Sequence, residues 1–162
     1  MKKPTYLIAA LMLATQMPVW AGKTLDQIRQ KDQLTCGVNT GIAGFSAADS
    51  QGKWSGMDVD VCKAIAAAVL GSPDKVRYVP LSAPQRFTAL QSGEVDILSR
   101  NTTVTLSRDT ALGLSLTAVM FYDGQGFMVP VKSGIKSAKQ LKNATVCTQT
   151  GTNPDHLGGL RR

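Results

Sequence analysis

The stretch VRYVPLSAPQRFTALQSGEVDILSRNTTVT, from Val76 to Thr105, alternates short apolar runs with one helical segment. VRYVPL and VDIL are short and rich in β-branched residues, which predicts two strands. Between them, Phe87 and Leu90 are three residues apart and Gly93 follows, which predicts a helix that ends at this glycine. A strand, a helix and a second strand in this order favour an α/β fold with parallel pairing.

The preceding residues extend the same pattern. LTCGV predicts a strand that begins at Leu34, and MDVDVCKAIAAAVLG predicts a helix that ends at Gly71. A loop rich in Gly, Ser and Asp separates the two, and TLDQIRQKDQ predicts a short polar helix before them. Strands and helices therefore alternate over the first two thirds of the chain, as in a sheet flanked by helices.

The C-terminal third is less regular. TAVMFYDGQGFMVP predicts two extended apolar pieces around Asp123 and Gly124, and SAKQLKN predicts a short helix. ATVCTQ predicts a further strand, and TGTNP predicts a turn at its end. The composition changes abruptly after Asn153, and PDHLGGLRR has no usable periodicity.

The N-terminus has the features of a signal peptide. Lys2 and Lys3 precede the apolar run LIAALMLA, and Ala21 is a suitable cleavage position. The apolar run is too short to span a bilayer. The full chain carries a net charge of +7, and without residues 1–21 the remaining 16 basic and 11 acidic residues leave +5. These charges are scattered, so we expect no nucleic-acid partner.

The chain has three cysteines, Cys36, Cys62 and Cys147. Export would permit a disulfide, and Cys36 lies in a predicted strand that precedes the predicted helix of Cys62. The spacing leaves open whether these two pair or remain buried thiols. No CxxC motif is present, so we expect no zinc or thioredoxin-type site.

Polar side chains follow the predicted strand VDIL. In open α/β sheets, ligands bind beyond the carboxyl ends of the strands. SRNTTVTLSRD places hydroxyls between Arg100 and Arg108, and a guanidinium matches a carboxylate while oxygens accept from an ammonium group. TGTN follows another predicted strand, so the two loops together would suit a small zwitterion in a cleft. The alternative is that the threonines bond only local backbone and that Arg108 makes a surface ion pair.

Five motifs from Leu34 to Gly151 resemble the periplasmic amino-acid-binding proteins of ABC transporters, most closely the general L-amino-acid-binding branch. They are LTCGVNTGIAGFS, GKWSGMDVDVCKAIAAAV, VPLSAPQRFTALQSGEVDILSRNTTVTLSRD, FYDGQGFMV and CTQTGT. The resemblance implies a two-lobe α/β fold of the periplasmic binding protein type, with the ligand between lobes joined by two hinge strands. It also implies a non-catalytic periplasmic protein that delivers L-amino acids to a membrane permease, without a cofactor or metal, and that is a monomer when complete.

The resemblance implies seven ligand-binding positions. Arg108 matches the arginine that grips the α-carboxylate, and Asn101 and Thr103 match positions that contact the carboxylate or the α-ammonium group. Thr152 matches a ligand-holding hydroxyl of the second lobe. The remaining positions lie on the pocket wall or near the ligand side chain: Asn39, Ala83 and Arg86. For Arg86, a solvated helix face is the alternative.

The same resemblance predicts the domain organisation. After the signal peptide 1–21, residues 22–122 would form lobe one, 123–153 the first hinge strand and the start of lobe two, and 154–162 an aberrant tail. Because two lobes need roughly 200 or more residues, we expect a C-terminally truncated chain.

Two other functions stay open: an enzyme on the same fold, such as a dehydratase or lytic transglycosylase, and a non-functional fragment. We expect no enzyme, because the single histidine, His156, lies in the predicted tail and no nucleophile–base pair is visible.

Overall fold

The computed structural model describes residues 22–141 and 144–153, so the predicted signal peptide and the predicted aberrant tail lie outside the described residues. The helices and strands are α1 (Lys23–Lys31), β1 (Leu34–Asn39), β2 (Ala47–Ala48), β3 (Trp54–Ser55), α2 (Met57–Leu70), β4 (Val76–Leu81), α3 (Arg86–Gln91), β5 (Ile97–Leu98) and α4 (Leu106–Ala111). Two 3₁₀ helices follow, at Val131–Ser133 and Ala138–Gln140.

Strand β1 is the centre of a three-stranded parallel sheet with the order β4-β1-β5. It pairs with β4 from Leu34 to Asn39 and with β5 at Cys36 and Gly37. All six residues of β1 are buried, as expected for a central strand that is covered on both faces. The predicted α/β class with parallel pairing is therefore confirmed.

Helix α2 supplies much of the apolar cover of the sheet. It ends where the sequence predicts: Gly71 has a φ of +74° and donates its N–H to the Ala67 carbonyl at 3.0 Å. The buried residues of the core around it come from α1, β1 and α2: Ile28, Leu34, Cys36, Val38, Cys62 and Ala66. Burial of the apolar side chains of these three elements against one another holds this half of the chain together.

Cys36 of β1 and Cys62 of α2 form a disulfide, with the sulfurs 2.04 Å apart. Both residues are completely buried, and the bridge ties the central strand to the helix that covers it. This answers the question that the spacing left open. Cys147 is exposed and is not part of a disulfide.

The antiparallel pair β2–β3 leads directly into α2. Gly56 joins the two with a φ of +117°, and a Cβ built on it would lie 2.4 Å from the Phe45 carbonyl oxygen. A side chain at this position would meet both a strained backbone and a backbone clash. The junction therefore requires glycine.

The C-terminal part differs most from the sequence expectations. Residues 113–130 and 144–149 form neither helix nor strand, so the strand predicted for ATVCTQ is not present. Apolar side chains in this part are exposed, Phe121 at 57% and Met128 at 100%. A strand needs a neighbouring strand for its backbone groups, and among the described residues no strand is aligned with these segments. The short helix predicted for SAKQLKN is one 3₁₀ turn that Ser137 and Gln140 cap reciprocally.

Residues 22–141 and 144–153 contain no helix with the length and hydropathy that crossing a membrane would require.

Candidate functional site

The carboxyl ends of the three parallel strands meet at one edge of the sheet. β1 ends at Asn39, β4 at Leu81 and β5 at Leu98, and the segments that follow β4 and β5 carry most of the candidate residues. This is the edge where open α/β sheets bind ligands. The topology therefore brings together groups that are far apart in the sequence, such as Asn39 and Asn101, which are 62 positions apart.

A short helix after β5 positions Arg108. Thr105 is extended at the N-cap of α4, and its hydroxyl accepts the backbone N–H of Arg108 at 3.2 Å. Arg108 is 7% exposed, and its guanidinium donates to the Thr103 carbonyl at 2.8 Å and to the Gly151 carbonyl at 3.4 Å. The Thr105 hydroxyl thus bonds to local backbone, as the alternative interpretation of this loop predicted. Arg108 is buried and is not in a surface ion pair, so that part of the alternative is wrong.

Arg86 lies on the first turn of α3 and is 2% exposed, which excludes the solvated helix face. Its Nη2 also donates to the Gly151 carbonyl, at 3.1 Å. Both guanidiniums lie near the ring of Phe87, with Cζ 4.6 Å from the centroid for Arg86 and 5.2 Å for Arg108. Two arginines from different helices therefore converge on one carbonyl oxygen.

These charges have no counter-ion among the residues that the structure describes. The ion pairs in that part of the chain are Lys63–Asp60 and Lys75–Asp32, and neither involves a buried arginine. The Nε of Arg86 is buried and makes no hydrogen bond within the described ranges. An unpaired buried charge is costly, which makes this cluster a candidate for binding an anionic group.

Burial also shifts the titration of the arginines. Desolvation lowers the pKa of Arg86 to about 10, with the positive charges of Arg100 and Arg108 acting in the same direction. Burial lowers the pKa of Arg108 and of Arg100, and the negative charge of Asp58 partly opposes the shift at Arg100. With a pKa of about 10, Arg86 remains a cation at neutral pH.

Asn101 follows Arg100 in the loop after β5 and is exposed. Its Oδ1 accepts from Asn39 Nδ2 at 2.8 Å and from Arg100 at 2.8 Å (Nη2) and 3.2 Å (Nε). Asn39 is itself buried, and its Oδ1 accepts the backbone N–H of Gly41 at 2.9 Å. Two of the predicted site residues, Asn39 and Asn101, are therefore hydrogen-bonded to each other.

The turn at 149–153 reaches the arginines through its backbone. Gly151 has a φ of +77°, and a Cβ on it would lie 3.1 Å from Pro84 Cα and 3.4 Å from the carbonyl carbon of Ala83. Ala83 is buried beside this turn. The Thr152 hydroxyl donates to the Gln149 carbonyl at 2.6 Å. The atom of this turn that meets Arg86 and Arg108 is the Gly151 carbonyl oxygen.

Three groups at the site are not among the seven predicted ligand-binding positions: Arg100, Phe87 and the Gly151 carbonyl. Arg100 had a visible signal, since it is one of the two arginines that bracket the hydroxyls of the same loop. Phe87 was used only to predict helix α3, because its spacing from Leu90 gives no hint that two cations lie against its ring. The backbone carbonyl of a turn has no sequence signature.

The carboxylates near the site have structural roles. Asp96 accepts the backbone N–H of Thr35 at 2.8 Å, beside the sheet. Asp58 is buried on the first turn of α2 and accepts from the Ser46 hydroxyl at 3.3 Å, and burial raises its pKa. In the described ranges, no group of three or more His, Cys, Asp and Glu residues could hold a metal ion.

Known proteins are similar to this chain in sequence. A General L-amino acid-binding periplasmic protein, AapJ of Rhizobium johnstonii, is 52% identical over 148 residues, 91% of this chain and 43% of its own length. The Glutamate/glutamine/aspartate/asparagine-binding protein BztA of Rhodobacter capsulatus is 52% identical over 155 residues, 96% of this chain and 46% of its own length. The chain thus spans less than half the length of these curated relatives.

A solved structure agrees with the sequence match. An ABC transporter periplasmic binding protein from Brucella ovis, solved with glutathione bound, superposes with a TM-score of 0.76 at 54% identity, over 82% of this chain and 42% of that one. The family model for bacterial extracellular solute-binding proteins, family 3, matches residues 34–151, which include the whole sheet and the arginine cluster. The chain belongs to the bacterial extracellular solute-binding proteins, family 3.

Proposed function

We propose that this chain is the solute-binding component of an amino-acid ABC transporter and captures L-amino acids at the carboxyl edge of its sheet. One observation carries the proposal: the buried guanidiniums of Arg86 and Arg108 converge on a single oxygen and have no carboxylate partner in the described part of the chain. A ligand carboxylate would supply the missing negative charge and accept several donors at once. The names of both curated relatives support amino acids as the ligand class.

Each site residue has a proposed role. Arg108 binds the α-carboxylate, with Thr103 beside it, because the Thr103 carbonyl already holds the guanidinium in place. Arg86 faces the ligand from α3, Ala83 forms the wall after β4, and Thr152 belongs to the turn that approaches from the other side. Asn39 and Asn101 act together through their mutual hydrogen bond.

The cellular role follows from the family. We propose that the protein is exported through the signal peptide 1–21, acts in the periplasm and delivers its ligand to a membrane permease. Residues 22–122 would form one lobe, and 123–153 the hinge strand and the start of a second. The Brucella ovis structure supports this assignment, since it superposes on most of this chain but on less than half of its own.

Calorimetric titration with a panel of L-amino acids tests the proposal. It should be done with the 162-residue chain and with a chimera in which residues 22–153 continue into the part of AapJ beyond its match. Binding should be lost in Arg108→Ala and kept in the control Arg29→Ala, which removes an exposed arginine of α1. Equal affinity in both variants, or no amino-acid binding by chain and chimera, would overturn the assignment.

A further inference from the structure

Fixed backbone groups determine the orientation of the Asn101 side chain. The N–H of Gly41 can only donate, so the Asn39 atom 2.9 Å away must be the amide oxygen. Asn39 therefore turns its NH₂ group toward Asn101, at 2.8 Å. The Asn101 atom that receives this donor must in turn be the oxygen.

Arg100 leads to the same assignment independently. A guanidinium has donors only, and two of its nitrogens lie 2.8 Å and 3.2 Å from Asn101 Oδ1. The third, Nη1, donates to the Leu81 carbonyl at 2.6 Å, so the end of β4 holds the guanidinium. Arg100 is 8% exposed and cannot turn to solvent without losing three hydrogen bonds.

The consequence concerns the other end of the Asn101 amide. Three donors occupy Oδ1, while Nδ2 has no partner among the described residues and belongs to an exposed residue at the ligand edge of the sheet. An amide that offers only N–H groups binds an acceptor, such as a carboxylate or carbonyl oxygen, and rejects an ammonium group.

We propose that Asn101 is a specificity-determining residue that donates to an acceptor on the ligand, and that Arg100 and Asn39 are positioning residues that hold its amide in this orientation. The inference rests on the proposed function for the ligand being an amino acid. It decides between the two contacts that the family resemblance left open for Asn101, carboxylate and α-ammonium, in favour of the carboxylate or another acceptor.

The orientation is testable without any ligand. In NMR spectra of the ¹⁵N-labelled chain, the side-chain NH₂ of Asn101, identified by its loss in Asn101→Asp, should exchange rapidly with water. The NH₂ of Asn39 should exchange slowly, and its signals should shift in Arg100→Met. A protected Asn101 NH₂ beside a freely exchanging Asn39 NH₂ would overturn the proposed orientation.

Binding measurements distinguish the two possible contacts of Asn101, a ligand acceptor and the α-ammonium group, because each predicts a different change in Kd for the same variant. Asn101→Asp keeps an oxygen facing Asn39 and Arg100 but replaces the outward NH₂ with a second carboxylate oxygen. If Asn101 donates to a ligand acceptor, the Kd for L-alanine, L-glutamine and L-glutamate should rise at least tenfold. If it instead accepts from the α-ammonium group, the Kd should stay the same or fall, which would overturn the proposal.

The matched control is Gln51→Glu, which makes the same charge change at an exposed residue between β2 and β3 and should leave the Kd unchanged. Arg100→Met should weaken binding of all three amino acids, and a Kd equal to that of the unmodified chain would refute its positioning role. Failure of the unmodified chain and of the AapJ chimera to bind any amino acid would refute the proposed function. The NMR measurement would then still decide the orientation of Asn101.

Discussion

Breaking the Cys36–Cys62 disulfide should cost a large part of the stability of the chain. The bridge joins residues 26 positions apart, and both sulfurs are buried between β1 and α2. In the chain-entropy model, closing a loop of this length lowers the conformational entropy of the unfolded state, which stabilises the folded state by about 3.5 kcal/mol. Folding free energies of single domains are about 5–15 kcal/mol, so this contribution is a substantial fraction.

Urea denaturation with and without a phosphine reductant measures the effect. Reduction leaves both thiols in place, so the packing volume is nearly unchanged and the difference reports mainly on the covalent link. With a urea dependence of about 2 kcal/mol per M, the unfolding midpoint should fall by about 1.5–2 M. Both measurements should be made in the Cys147→Ser variant, because the exposed thiol of Cys147 could otherwise link two chains.

Two outcomes would contradict this reasoning. Equal urea midpoints for the oxidised and reduced chains would show that the bridge does not stabilise the fold. Titration of the denatured, unreduced Cys147→Ser chain should find no free thiol, and two free thiols would show that Cys36 and Cys62 are not paired.

Three further predictions concern binding, backbone and charge. Arg108→Ala should weaken amino-acid binding by about 2–5 kcal/mol. Arg108→Lys should not restore binding, because an ammonium lacks the planar fork of the guanidinium, and near-normal calorimetric affinity in either variant would refute this. Gly56→Ala should lose at least about 2 kcal/mol more stability in urea than Gly52→Ala, since both have positive φ but only Gly56 would also clash; equal losses would contradict it. Burial raises the pKa of Asp58 above 3.8, so its stabilising contribution is complete at low pH and is lost as the pH rises through the folded-state pKa. The urea midpoint should therefore fall more with rising pH in the unmodified chain than in Asp58→Asn, and parallel pH profiles of the two would refute this.

Most of the fold in the first two thirds was predictable, because its signals are local. The apolar runs of β1 and β4 and the glycine at the end of α2 mark these elements within a few residues of sequence. The segment 144–149 was mispredicted because apolar alternation indicates a strand only when another strand is available to pair with it.

The candidate site divides in the same way. The sequence by itself determined which loops carry the polar groups, since Asn101, Thr103 and Arg108 follow a strand whose end is readable from its composition. Only the tertiary structure decided that Arg86 is buried rather than solvated, that Cys36 pairs with Cys62, and that the Gly151 carbonyl meets two guanidiniums. The physical reason is distance along the chain: these contacts join residues 26 to 65 positions apart, and no local pattern encodes which distant group will supply a hydrogen bond, a sulfur or a charge.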